Sequence, residues 1–129
     1  MVILDTHVLL WAFSDSDRLS DRAKSIIQTS QCAVSIVSIW EIAIKSSLPD
    51  ERRRLKLDMG IDEFVDECTK QSIEILPITA DDCIAVQKLP FIHGDPFDRL
   101  IIAQASNREC KLVTKDANIQ KYQTVETVW

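Results

Sequence analysis

Short apolar runs alternate with amphipathic stretches along the chain. Val2-Ile3-Leu4 is apolar at three successive positions and ends in Asp5, which predicts a buried strand delivering its last residue to a sheet edge. Val8-Leu9-Leu10-Trp11 continues as the first turns of a helix, and Asp15 to Asp21 is polar and turn-like. Ser20 is a good N-cap, and Ala23, Ile26 and Ile27 predict an amphipathic helix ending near Ser30. Cys32-Ala33-Val34-Ser35 predicts a second strand. The helix after it carries Ile39, Trp40, Ile42, Ala43 and Ile44, apolar on more than one face, so it is expected to be largely buried. Pro49 and the charged run Asp50 to Lys56 break the pattern as an exposed excursion.

Ile61, Phe64, Val65 and Cys68 mark another amphipathic helix, and Ile73 to Ile78 a third strand closed by Pro77. Thr79 caps a helix carrying Cys83, Ile84 and Val86, and Leu89 to Gly94 is a loop. Asp95-Pro96 opens a helix through Leu100, Ile101, Ile102, Ala103 and Ala105. Leu112 to Thr114 and Thr124 to Val128 predict a fourth and a fifth strand. Strands alternating with helices give an α/β fold with a mainly parallel sheet of about five strands. In such sheets ligands bind beyond the carboxyl ends of the strands, where Asp5 and Asp116 fall.

Composition narrows the class. A chain of 129 residues, 46% hydrophobic and 27% charged, reads as one soluble domain spanning 1–129. No apolar run approaches the roughly 20 residues of a membrane span, and the N-terminus lacks a basic leader and a long apolar core. Cys32, Cys68, Cys83 and Cys110 form no Cys-x-x-Cys pair and are expected as four buried, reduced thiols. A cytoplasmic location and no membrane partner are the corresponding expectations. The net charge of −5 argues at first against a nucleic-acid partner.

Local context singles out a few of the 20 acidic residues. Asp15, Asp17, Asp21, Asp50, Glu51 and Asp62 sit in polar runs and are expected to be solvated. Asp5, Glu41 and Asp98 lie among large apolar residues, and Asp116 closely follows Leu112-Val113. A buried carboxylate is costly unless it is protonated, paired or bound to metal. Setting these four aside leaves a charge of −1, so the acidity is mostly theirs. Helix capping is the competing explanation. Asp5 can cap the first helix, Ser38 and Glu41 have capping-box spacing, Asp95 and Asp98 fit N-cap and N3, and Asp116 can cap Ala117 to Gln120. Residue context alone leaves both readings open.

Four blocks in order carry a resemblance: Val2 to Trp11 around Asp5, Ser38 to Lys45 around Glu41, His93 to Ala103 around Asp98, and Leu112 to Asp116. Together they resemble a PIN domain, most closely the VapC-type toxins of toxin–antitoxin pairs, over nearly the whole chain. The resemblance implies a three-layer α/β/α fold and an acidic quartet at Asp5, Glu41, Asp98 and Asp116 that holds Mg²⁺ or Mn²⁺. Thr6, Asp95, Arg99 and Thr114 are the implied accessory residues. It also implies cleavage of RNA to a 5′-phosphate and a 3′-hydroxyl, and a cognate antitoxin. Many relatives carry a basic residue where Gly94 stands, which bears on substrate contacts at that loop.

The implied chemistry is physically coherent. Two carboxylates about 5 Å apart repel by roughly 3 kcal/mol at an effective dielectric of about 20, so a group of four needs cations or protons. Oxygen ligands without a cysteine or histidine set favour Mg²⁺ or Mn²⁺ over zinc. Several alternatives stand beside this. His7 and His93 permit metal-free acid–base cleavage. Arg99 can pair with an acid or contact phosphate. Arg52, Arg53, Arg54 and Lys56 can grip RNA or form a solvated face. The stripe Trp11, Phe13, Ile39 and Trp40 can pack in the core, form a homodimer face or line an antitoxin groove. A catalytically inactive PIN module that binds protein or RNA is the alternative function. A haloacid-dehalogenase-type phosphatase needs an acid where His7 stands, and a receiver domain needs one after the third strand; both fail.

Overall fold

Val2 and Leu4 face one side of the first strand and Ile3 the other, and all three are buried, so the sheet is covered on both faces. In the computed structural model, which describes residues 1–129, the elements run β1 (Val2–Leu4), α1 (Thr6–Ser14), α2 (Asp21–Thr29), β2 (Cys32–Ser35), α3 (Ile36–Ser46) and α4 (Ile61–Lys70). They continue with β3 (Glu74–Leu76), α5 (Ala80–Lys88), α6 (Pro96–Asn107), β4 (Lys111–Val113) and β5 (Thr127–Val128). The strand order is β3-β2-β1-β4-β5 and every pairing is parallel. All strands therefore end at one edge. The chain runs outward from β1 to β3 and then returns to β4, which makes the β1/β4 junction the switch point where a parallel sheet opens a crevice.

Two apolar layers sandwich this sheet. On one side Val2, Leu4, Val34 and Val113 pack with Leu9 of α1, Ile42 of α3, and Phe64 and Cys68 of α4. On the other, Ile3, Ala33 and Leu112 meet Ile101, Ile102 and Ala105 of α6, together with Tyr122. Each fully buried Ile or Leu contributes roughly 2 kcal/mol. The helix starts follow the expected polar signals. Ser20 and Ser35 accept hydrogen bonds from the amides of Ala23 and Val37, and Thr79 and Asp82 form a reciprocal capping box on α5. Asp95 caps α6 with Pro96 at its first position.

Several expectations need correction. The sheet is wholly parallel, and β3 and β5 are shorter than their apolar runs, because Ile73, Pro77 and Ile78 and residues 124–126 lie outside the ladder. Helix α3 is not buried all round: Ile36, Trp40 and Ile44 face solvent, while Ile39 and Ile42 enter the core. The thiols are all free, but only three are buried, since Cys83 lies on the outward face of α5. Arg54 closes its own turn onto the carbonyl oxygens of Leu48 and Pro49, while Arg52, Arg53 and Lys56 are exposed. No helix is long and apolar enough to cross a membrane.

Candidate active site

Asp5 leaves β1 at the switch point and is 6% exposed. Its Oδ1 accepts the Val8 amide, so it does cap α1, and its Oδ2 accepts the hydroxyl of the fully buried Thr114. The Thr114 hydroxyl also accepts the Asp116 amide at 3.0 Å, tying the acid after β4 to the acid after β1. Burial pushes the Asp5 carboxyl above the ordinary carboxylate range and the charge of Asp116 adds to the rise, while Thr114, the Val8 amide and His7 oppose it. Asp116 is exposed, and its Oδ1 accepts the amides of Asn118 and Ile119, the capping role expected for it. Capping and site membership are compatible because a carboxylate has lone pairs for both.

Glu41 is different. Helix α3 begins at Ser35, so Ser38 is inside it and no capping box involves Glu41. The carboxylate is 3% exposed. Oε1 accepts the Thr6 hydroxyl at 2.7 Å, and Ser38 lies 2.9 Å from Thr6 with a proton to donate back. Oε2 is paired with Lys45 at 2.5 Å, one helical turn along. Thr6 thus joins the helix after β2 to the loop after β1.

Asp98 stands at the start of α6, its amide bonded to Asp95. Its carboxyl is pushed up to about 6, first by burial and then by the charges of Asp95, Asp116 and Glu41, against a lowering contact from His93. These neighbours bring acids from three parts of the chain near one another, and Asp116 in turn lies near Asp5. His93 Nε2 lies 3.1 Å from Asp98 Oδ2, and its Nδ1 lies 2.9 Å from the Tyr122 hydroxyl. Tyr122 in turn accepts from Arg99 at 3.0 Å. A hydroxyl that accepts from Arg99 has its own proton for Nδ1, which leaves Nε2–H to donate to Asp98.

Arg99 does not make the acid pair that was one of its two expected roles. It is 8% exposed and pairs with no carboxylate; its guanidinium bonds the carbonyl oxygens of Pro90 and Val86 and the Tyr122 hydroxyl. It locks the loop between α5 and α6, on which His93 sits. Lys45, Ser38 and Tyr122 were not foreseen as parts of the site. Lys45 had a signal, its four-residue spacing from Glu41, whereas nothing local marks Tyr122.

The donor set is chemically suited to a hard divalent cation: it is made of carboxylate oxygens, and those of Asp5 and Asp98 are held above the ordinary carboxylate range, first by burial and then by neighbouring acids. As the side chains stand, no three Asp, Glu, His or Cys groups are gathered within reach of one ion. The carboxylates repel, and each turns to its own partner: Thr114, Thr6 and Lys45, or His93. The expected quartet therefore shares a crevice without forming one ligand cage.

A parallel α/β sheet with a carboxylate crevice at its switch point defines the class. Residues 2–124 match the PIN domain family model, and the chain belongs to that family. It is 30% identical over 133 residues to ribonuclease VapC22 of Mycobacterium tuberculosis (strain ATCC 25618 / H37Rv), covering 99% of this chain and 98% of that protein. Among solved structures it resembles VapBC2 from Rickettsia felis bound to a promoter DNA fragment, at a TM-score of 0.70 and 15% identity over 99% of this chain and 98% of the other. FitAcB from Neisseria gonorrhoeae matches at 0.67 and 16%, over 100% and 97%. At these identities the structural likeness establishes the fold, including the three layers.

Proposed function

We propose that residues 1–129 act as one nuclease domain, a metal-dependent endoribonuclease that serves as the toxin of a toxin–antitoxin pair. The observation that carries the reading is the shared crevice, in which Asp98 is pushed up to about 6 by burial and by Asp95, Asp116 and Glu41. The likeness to a ribonuclease over 99% of the chain supports RNA as substrate. Asp5, Glu41, Asp98 and Asp116 would hold Mg²⁺ or Mn²⁺, which when bound supplies an activated water and offsets charge on the phosphate.

The protein's own groups prepare that crevice. Thr114 orients Asp5 and, through its bond to the Asp116 amide, sets the spacing of the two acids. Thr6 and Lys45 fix the Glu41 rotamer, and Asp95 holds the α6 start from which Asp98 projects. His93 holds Asp98 in turn. The products are assigned as a 5′-phosphate and a 3′-hydroxyl.

Two protein partners belong to the same proposal. An antitoxin is supported by the toxin–antitoxin complexes among the structural relatives, and a second copy of the chain by the outward stripe Ile36, Trp40 and Ile44. Brief expression of wild type and of Asp98→Asn or Asp5→Asn, followed by sequencing of RNA 5′-monophosphate ends, tests the assignment. Wild type should create discrete new ends and arrest growth, relieved by co-expression of the product of the adjacent gene, and the folded variants should do neither. Undiminished cleavage by either variant would remove the quartet from the chemistry.

A further inference from the structure

Beside Asp5 and Asp116 lies an open cleft of about 390 Å³, lined also by His7, Trp11, Arg18 and Lys115. That volume falls in the range of small-ligand sites. The two cations in it are unpaired. Neither Arg18 nor Lys115 has a carboxylate within ion-pair distance, although two carboxylates line the same cleft, and neither side chain donates a hydrogen bond to the protein. Lys45 is committed to Glu41, Arg108 to Asp82, and Arg99 and Arg54 to backbone carbonyls, whereas Arg18 and Lys115 keep their charge free beside Asp5 and Asp116.

Aromatic faces hold these two instead. The Arg18 guanidinium sits 4.5 Å from the Trp11 ring centroid, and Lys115 Nζ 6.0 Å from that of Trp129. Trp11 and Trp129 are themselves 5.9 Å apart, and the exposed His7 ring stands 5.8 Å from Trp11 on the other side. A π face places a cation and restricts its motion while leaving its charge and its N–H donors unspent. A carboxylate would have neutralised both. Two fixed, uncommitted cations next to the acids suit an anion that is already being brought to those acids.

We propose that Arg18 and Lys115, braced on Trp11 and Trp129, form the subsite for the RNA phosphodiester next to the scissile one. The His7 and Trp11 rings then lie alongside the flanking nucleotide, where an aromatic surface favours an unpaired base of any identity. The assignment rests on the reading of Asp5 and Asp116 as part of the cleavage centre. It also moves the RNA grip away from the basic run at 52–56, where Arg54 is spent on its own turn.

The test uses the full chain carrying Asp98→Asn, which removes cleavage, and a fluorescein-labelled single-stranded RNA followed by anisotropy across a salt series. Added Arg18→Ala and Lys115→Ala should each weaken binding about tenfold and lower the slope of log affinity against log salt by about 0.7 per lost contact. Arg18→Lys should restore part of the slope. Lys70→Ala, a remote exposed cation on α4, should change neither quantity. Both residues are exposed, so thermal melting should report an unaltered fold; if Arg18→Ala melts early, Arg18→Gln takes its place. Slopes and affinities unchanged, or reduced equally by Lys70→Ala, overturn the subsite, as does RNA binding too weak to detect in the parent. Persistent cleavage by Asp98→Asn in the parent preparation sinks the reading of the acids as the cleavage centre, on which the subsite rests, whatever the binding shows.

Discussion

Asp98 illustrates how a residue can serve a site at the expense of the fold. Its carboxyl lies at about 6 instead of 3.8, chiefly through burial, with the charges of Asp95, Asp116 and Glu41 adding to the rise. One pKa unit is about 1.4 kcal/mol, and the side chain is 21% exposed, so solvent screening leaves a cost of about 1–2 kcal/mol at neutral pH. For an acid with a raised folded pKa, the cost is present in full above that pKa. It fades as pH falls through about 6 toward 3.8, where the unfolded chain also takes up the proton. Asp98→Asn should therefore melt a few degrees higher than wild type in excess chelator near neutral pH, with the gain disappearing in acid. Calorimetry at two pH values checks this, and a melting point equal to or below wild type at neutral pH would refute it. Asp5 and Asp116 teach a related lesson. Their capping and site readings looked like rivals in the sequence, yet one carboxylate does both, because helix starts and strand ends meet at the same sheet edge.

Helix α3 makes the corresponding point about elements. Its apolar periodicity was legible, but not its start, which lies at the Ser35 cap and leaves Ser38 inside the helix, nor which face the rest of the molecule would cover. Ile39 and Ile42 pack inward, while Ile36, Trp40 and Ile44, at four-residue spacing, form an outward stripe with Trp40 57% exposed. Trp40 meets Phe97 of α6 edge to face, at 5.3 Å between ring centroids. No element of this chain covers the stripe, and sequence periodicity alone does not say which apolar face is left outward. The proposed second copy puts Trp40 at the centre of a twofold contact, where a large aromatic is commonly worth 2 kcal/mol or more, roughly a thirtyfold change in dissociation constant. Light scattering should find wild type as a dimer and Trp40→Ser as a monomer at the same concentration, with the thermal midpoint of the dissociated chain little changed. A wild-type monomer would eliminate this contact. Arg99 shows the same limit from inside: beside Asp98 in sequence it invites an ionic role, and only the turn after α5 brings the Val86 and Pro90 carbonyls to it.

At the scale of the whole molecule, the alternation of strands and helices and the acids after β1 and β4 were readable because they are local or nearly so. Tyr122 was not, since it joins the site through contacts with His93 and Arg99, far from it in the chain, that no spacing rule encodes. The same geography explains the charge. Most of the net −5 belongs to four carboxylates at one crevice, so the fold carries a concentrated repulsion that a divalent cation would relieve. An ion that binds only the folded state raises stability by RT ln(1 + [ion]/Kd), about 2.7 kcal/mol at a hundredfold excess over Kd. MgCl₂ or MnCl₂ should therefore raise the melting temperature of wild type by several degrees. The rise should be largely lost in Asp5→Asn and Asp98→Asn, and retained in Glu74→Gln, an exposed acid at the start of β3 and the opposite edge of the sheet. KCl at matched ionic strength should not reproduce it, because screening acts on all exposed charges alike. Equal rises in all four proteins would mean that the cations act on overall charge and that the crevice has no particular hold on them.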